Sequence, residues 1–138
     1  MQERLGLVIK RAERAMMSAK EQALRPLDLT VPQFAALSNL AQHPGANGAE
    51  LARQSLVTPQ NMTTILSNLE SKGYIARTPH PYHRKMLETK LTPEGLEVLR
   101  RGEQSTLEVE QRFAKGLTAQ QREQLSQALE FMIQNLYD

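Results

Sequence analysis

Apolar residues recur at helical spacing along most of this chain, and the period changes in one short stretch. From Tyr74 to Thr92, apolar and polar residues alternate instead, around a tip with the sequence PHPYHR. Alternation is typical of β-strands, whereas spacings of three and four residues are typical of amphipathic helices. We therefore expect a mainly α protein with one small β-hairpin, in the order α-α-α-α-β-β-α-α.

Residues typical of helix N-caps stand at the predicted start of five helices. Some are followed three positions later by Gln or Glu, which is the spacing of a capping box, and others directly by proline. These predicted N-caps are Thr30, Asn47, Thr58, Thr92 and Thr118. Gly73 is expected to end the helix that follows Thr58. A short helix, a tight connection, a second helix and a hairpin, in that order, predict a winged helix-turn-helix.

Composition excludes several classes of protein. The chain has 138 residues, of which 40% are hydrophobic and 23% charged, as in an ordinary globular domain. It contains no cysteine, which excludes disulfides and thiolate metal sites. No apolar run is long enough to span a bilayer, and the first residues lack the pattern of a signal peptide. We expect a cytoplasmic protein without a cofactor and with no membrane association.

The net charge of +2 is unevenly distributed along the chain. Residues 51–92 contain six basic and two acidic side chains, a net charge of +4, and the remainder contains 11 basic and 13 acidic side chains, a net charge of −2. A basic patch of this kind suits a phosphate backbone.

The helix predicted after Thr58 carries amides and hydroxyls where exposed helix faces usually carry Glu and Lys. Such groups bond base edges in a DNA major groove at short reach. The residues expected to contact bases are Gln60, Asn61, Thr63 and Thr64. Those expected to approach phosphates are Thr58, Ser67, Asn68, Lys72, Arg53 and Arg77. In the alternative interpretation, a neighbouring element simply packs against this polar face.

The tip of the predicted hairpin is basic. His83, Arg84 and Lys85 follow one another there, and an arginine on a projecting wing can enter the narrow minor groove of A·T-rich DNA. An ordinary solvated loop is the alternative interpretation of these charges.

Two segments resemble a known family. LSNLESKGYIARTPHPYHRKMLETKLTPEG resembles the wing signature of the MarR family of bacterial transcriptional regulators, and LTVPQFAALSNLAQHPGANGAELARQSLVTPQNMTTILSNLESKG resembles its winged-helix core. The family's combined pattern is matched at Leu69-Glu70, Lys72-Gly73, Arg77, Arg84, Leu91-Thr92 and Gly95. The resemblance covers the whole chain, including the long first helix and the two last ones.

The resemblance implies a sequence-specific DNA-binding regulator, expected to be a repressor that binds a pseudo-palindromic operator as a homodimer. Residues 30–92 would form the winged-helix DNA-binding lobe, and residues 1–25 and 93–138 the helical dimerisation region. The apolar stripes of the terminal helices support a dimer, since they exceed what a small core can cover.

Relatives in this family often hold a small aromatic or phenolic effector, and the resemblance implies a pocket for one. The candidate lining residues are Met16, Met17, Phe34 and Leu37. Methionines in such positions more often belong to a core or a dimer interface.

The wing departs from the family pattern, in which acidic residues commonly stand at the positions of His80 and His83. These histidines have a spacing seen in metal sites, but the sequence suggests no carboxylate near the tip, and we expect no metal. Two other classes of function stay open. One is a winged-helix protein-interaction module without DNA binding, and the other, an enzyme, has no supporting motif.

Overall fold

The predicted element order is confirmed. The computed structural model describes residues 4–83 and 85–137. Within them the chain forms six α-helices, one 3₁₀ turn and a two-stranded antiparallel hairpin. The elements are α1 (Leu5–Leu24), the 3₁₀ turn (Arg25–Leu27), α2 (Val31–Gln42), α3 (Gly48–Ser55), α4 (Pro59–Ser71), β1 (Ile75–Pro79), β2 (Leu87–Leu91), α5 (Pro93–Phe113) and α6 (Ala119–Asn135).

The helices begin where their N-capping residues predict. Thr30 and Thr118 form complete capping boxes, in which each threonine exchanges hydrogen bonds with the glutamine three positions on. Asn47 caps α3 by half of the predicted box. Its Oδ1 accepts from the Glu50 N–H at 2.9 Å, but within the described chain the Glu50 side chain returns no bond to it. Gly73 follows α4 with φ at +80°, the left-handed conformation expected of it.

The hairpin pairs Ile75 with Leu91 at its base and Pro79 with Leu87 near its tip. The alternation predicted for β2 is observed from Thr89 to Leu91 only, and its most buried residue is Thr89, with 1% of its surface exposed. Leu87 lies near the outer end and remains about half exposed. The hairpin is therefore anchored at its base and projects at its tip.

One hydrophobic core joins α2, α3, α4 and the base of the hairpin. It extends to Leu24 from α1 and to Val98 and Leu99 from α5, so the inner ends of the terminal helices share it. Each fully buried leucine contributes about 1.5–3 kcal/mol. The remaining buried apolar residues of this core are Leu29, Ala36, Leu37, Leu40, Ala46, Leu51, Ala52, Met62, Leu66, Leu69 and Ile75.

The outer parts of α1 and α5, and the whole of α6, lie outside this core. α1 packs along α5, where Lys20 Nζ lies 3.1 Å from Glu110 Oε1. No residue of α6 between Ala119 and Asn135 is buried. Among the residues that the structure describes, no helix is long and apolar enough to cross a membrane.

Candidate nucleic-acid interface

Helix α4 turns its polar face to solvent. Met62, Leu66 and Leu69 are buried in the core, and this fixes the rotation of the helix about its axis. The opposite side carries the exposed residues Gln60, Asn61, Thr63, Thr64, Ser67 and Asn68. No element of the described chain covers them, so the interpretation of this face as one packed by a neighbour does not hold within the subunit.

The first turn of α4 is ordered by its own hydroxyls. Thr58 Oγ1 accepts from the Asn61 N–H at 3.1 Å, and Thr63 Oγ1 donates to the Pro59 carbonyl at 2.9 Å. Thr64 Oγ1 donates to the Gln60 carbonyl at 3.4 Å. Because the hydroxyl protons of Thr63 and Thr64 are used within the helix, these threonines present methyl groups and acceptor lone pairs, while the two amides supply donors and acceptors.

A tight connection between α3 and α4 sets the position of the exposed face. Asn39 Nδ2 donates to Ser55 Oγ at 2.8 Å, and the Val57 N–H donates to the Ala52 carbonyl at 3.1 Å. Leu56 lies between them with φ at +56°. Arg53 is exposed in the last turn of α3, on the helix that precedes this connection.

Lys72 is engaged at the opposite end of α4. Its Nζ donates to the Asp28 carbonyl at 2.5 Å and to Gln33 Oε1 at 3.1 Å, and lies 3.5 Å from Asp28 Oδ2. The ammonium therefore ties the end of α4 to the turn before α2. Its expected contact with phosphate remains a prediction, and one that would require this ammonium to bind a third partner besides Asp28 and Gln33.

Arg77 is also engaged within the subunit. Its guanidinium donates to Glu70 Oε1 at 3.0 Å and to Oε2 at 3.4 Å, which joins β1 to α4. These hydrogen bonds lower the pKa of the Glu70 carboxyl below its ordinary value. The pair fixes the angle between the wing and the helix, and the expected contact of Arg77 with phosphate stays a prediction.

The wing tip lies farther along the hairpin than the Arg77–Glu70 pair. His83 and Lys85 are exposed there, and Tyr82 between the two histidines is 87% exposed. Arg84 lies outside the described residues. Helix α4 therefore presents a polar face, and the described part of the wing tip presents the exposed basic side chain of Lys85.

The expectation that no carboxylate lies near the tip is wrong. Glu88 on β2 places Oε1 3.7 Å from His80 Nε2, because the antiparallel register folds β2 back beside the tip. Sequence spacing alone did not indicate this pair, although the alternation of β2 would have placed Glu88 on the face opposite Thr89. No group of three potential metal ligands occurs among the described residues.

The four candidate effector residues are dispersed. Leu37 is fully buried in the core, and Phe34 packs beside Gly102 of α5. Met16 lines a cavity of about 170 Å³ between α1 and α5, whereas Met17 is 40% exposed. These four side chains therefore lie in different surroundings, and their role in an effector pocket stays a prediction.

The fold and the exposed polar helix define a class of protein, the winged helix-turn-helix DNA-binding proteins. The sequence model of the MarR family matches residues 29–86. The HTH-type transcriptional repressor Rv2887 of Mycobacterium tuberculosis is 36% identical over 126 residues, which is 91% of each chain. The HTH-type transcriptional repressor IacR of Pseudomonas putida is 28% identical over 84% of this chain and 70% of its own.

Solved structures agree with this assignment. The crystal structure of Rv2887 in complex with DNA superposes with a TM-score of 0.79 at 34% identity, covering 95% of this chain and 98% of that one. A mutant of MarR from Escherichia coli, crystallised with operator DNA, has a TM-score of 0.82 at 27% identity, covering 93% of this chain and 92% of that one. The protein belongs to the MarR family and is a DNA-binding transcriptional regulator.

Proposed function

We propose that this regulator is a repressor that binds a pseudo-palindromic operator as a homodimer. The observation that carries the proposal is the exposed amide and hydroxyl face of α4, held beside a basic wing. A helix with this chemistry fits a major groove, and a projecting hairpin reaches the neighbouring minor groove. We expect the protein to act in the cytoplasm, in keeping with DNA binding, and expect no enzymatic activity.

Contacts with DNA divide between two kinds of group. Gln60 and Asn61 contact base edges, where an amide can bond adenine in a bidentate manner, and the methyls of Thr63 and Thr64 suit thymine methyls. The residues that approach phosphates are Thr58, Arg53, Ser67 and Asn68. Lys85, with His83 and Arg84 beside it in sequence, serves the minor groove.

The exposed apolar surface of the terminal helices supports the dimer. Helices α1, α5 and α6 and the segments beside them expose many large apolar side chains, and an extended exposed apolar surface is typical of an interaction site. These residues are Leu5, Leu7, Val8, Ile9, Met17, Leu96, Leu107, Phe113, Leu117, Leu125, Phe131, Ile133, Leu136 and Tyr137. A two-fold interface would cover them and hold two α4 helices about 34–36 Å apart, one turn of DNA.

A small aromatic acid is the proposed class of effector. The related Rv2887 has been crystallised in complex with salicylic acid, in a structure with a TM-score of 0.76 and 35% identity. Because the candidate residues lie in different surroundings within one subunit, we propose that the effector site forms in the dimer, between the dimerisation region and the DNA-binding lobe. Release of a bound duplex by salicylate, measured by fluorescence anisotropy, tests this proposal.

Selection from a pool of random duplexes tests the main proposal. A dimer that enriches a pseudo-palindrome is the expected result, and its log affinity should fall with log salt by about 0.9 per phosphate neutralised. A protein that enriches no sequence and shows no salt dependence would be a protein-interaction module instead. Repression is then tested with a reporter gene placed behind the enriched sequence.

A further inference from the structure

The tip of the wing is organised around one imidazole ring. His80 Nδ1 accepts hydrogen bonds from the backbone N–H groups of Tyr82 at 3.1 Å and His83 at 3.2 Å. Only a ring nitrogen without a proton can accept, so this arrangement requires the neutral ring protonated on Nε2. That nitrogen faces Glu88 Oε1 at 3.7 Å. The ring therefore links the turn on one side to β2 on the other.

Among the described residues of the tip, two further hydrogen bonds join backbone groups. The His80 N–H donates to the Met86 carbonyl at 2.8 Å, and the Met86 N–H donates to the His83 carbonyl at 2.8 Å. Neither of these bonds involves a group that titrates. The pair of bonds to His80 Nδ1 is different, because a single proton on that nitrogen removes both.

We infer that His80 is a positioning residue for DNA binding, whose neutral ring holds the wing tip in the shape that presents His83 and Lys85. Protonation of Nδ1 would set an N–H donor against two other N–H donors, and the turn would have to open. Since Nε2 keeps its hydrogen, the contact with Glu88 survives. The ring then stays attached to β2 and releases the turn. The DNA part of this inference rests on the proposed function.

The charged groups around the ring act on it in opposite directions. On β2, Glu88 attracts a protonated ring, while Lys90 Nζ lies 3.6 Å from the same carboxylate and weakens that attraction. Within the tip, the ring of His83 is 5.1 Å from that of His80, centroid to centroid, so two protonated rings would repel each other. The Tyr82 ring is 6.1 Å away and Lys85 is exposed nearby. On β1, the charged residue is Arg77, which is paired with Glu70.

NMR of the free protein tests the inference without DNA. Histidine side chains ordinarily change charge between about pH 8 and 5, and the amide protons of Tyr82 and His83 are followed over this range. Both resonances should move to those of unbonded amides as the His80 ring gains its proton. His80→Asn should keep them bonded at every pH, because its Oδ1 accepts without titrating, and His80→Ala should lose them at every pH.

A matched variant separates the two histidines. His83→Gln removes the ionisable ring beside His80. The pH-dependent change of the Tyr82 amide resonance should persist in this variant. Amides that do not respond as His80 titrates, or that respond equally in His80→Asn, would overturn the inference.

A binding experiment tests the consequence for DNA. The probes are a duplex enriched by the wild type at about pH 8 and a scrambled duplex of equal length, which corrects for the general attraction of protonated histidines to phosphate. The preference of the wild type for the enriched duplex should fall about fivefold or more at acid pH, equivalent to the loss of one or two hydrogen bonds.

His80→Asn should keep that preference at both pH values. An equal loss in wild type and His80→Asn would contradict the role of His80. If no duplex is enriched at all, the proposed function fails instead, and the NMR titration still decides whether His80 orders the tip.

Discussion

Single residues set the distance between the start of the wing and the N-terminus of α5. Thr92 Oγ1 donates to the Gly73 carbonyl at 2.6 Å and accepts from the Gly95 N–H at 3.0 Å, while the Thr92 N–H donates to the Tyr74 carbonyl at 3.1 Å. A Cβ at Gly95 would collide with that same carbonyl. The glycine of the family pattern is therefore required by a close approach between two backbones.

Gly95→Ala should lower the free energy of unfolding by about 1–3 kcal/mol, as overpacking against a backbone group does. Urea unfolding at fixed protein concentration measures the change. Gly6→Ala is the matched control, since its new Cβ has no neighbour within 4 Å and alanine favours helix. Equal losses in both variants would show that the Tyr74 carbonyl is not the cause.

Leu56 is strained without compensation from burial. It has φ at +56° and is 93% exposed, so its side chain contributes little packing. The left-handed conformation costs a residue with a Cβ about 1–2 kcal/mol. Leu56→Gly should raise the free energy of unfolding by about 0.5–1 kcal/mol after the greater entropy of the unfolded chain is deducted. Leu56→Ala keeps the Cβ and should show no gain, and thermal unfolding of the two variants distinguishes these outcomes.

At the scale of elements, α4 is fixed along its whole length. Its apolar side is buried, its N-terminus is capped by Thr58, and its C-terminal turn carries Glu70, which binds Arg77 on β1. Because α4 cannot turn about its axis, the exposed amides keep one direction relative to the wing. The contacts proposed for the major and minor grooves would thereby be set together.

Glu70→Gln should reduce stability at neutral pH and have no effect in strong acid. The folded-state pKa of Glu70 is lowered by its bonds to Arg77. The stabilisation that the ionised carboxylate gives the folded state is therefore complete above the ordinary pKa range of carboxyl groups. That contribution disappears as the pH falls through the lowered value. Unfolding of both proteins by urea at several pH values measures it. A difference between them that stays constant into strong acid would contradict the role of the charged pair.

Asn61→Ala and Lys85→Ala should affect DNA binding in different ways. Loss of the Asn61 amide should cost about 1–3 kcal/mol and relax base preference at one position in each half-site. Loss of Lys85 should weaken binding to all duplexes and reduce the salt slope by about one. Titrations at several salt concentrations, with base-substituted duplexes, separate them. Identical effects from both variants would show that the roles assigned to helix and wing are wrong.

At the scale of the whole molecule, the apolar surface of the terminal helices has no partner within the described part of the subunit. Leu125 of α6 is 52% exposed, and Leu125→Asp should shift the protein from dimer to monomer and weaken operator binding with it. Analytical ultracentrifugation measures the mass. Leu56→Asp makes the same exposed change in the DNA-binding lobe, where aspartate tolerates the left-handed conformation, and should leave a dimer. A dimeric Leu125→Asp protein would place the interface elsewhere.

The sequence by itself determined the helix starts, the hairpin and the polar face of α4. Each depends on residues a few positions apart, such as Thr58 with Asn61, so the local pattern is sufficient. Only the tertiary structure decided which distant groups meet. Lys72 reaches Asp28 across 44 positions, and Glu88 reaches His80 through the hairpin register. Packing also placed Leu37 in the core, because burial depends on all the neighbouring elements together.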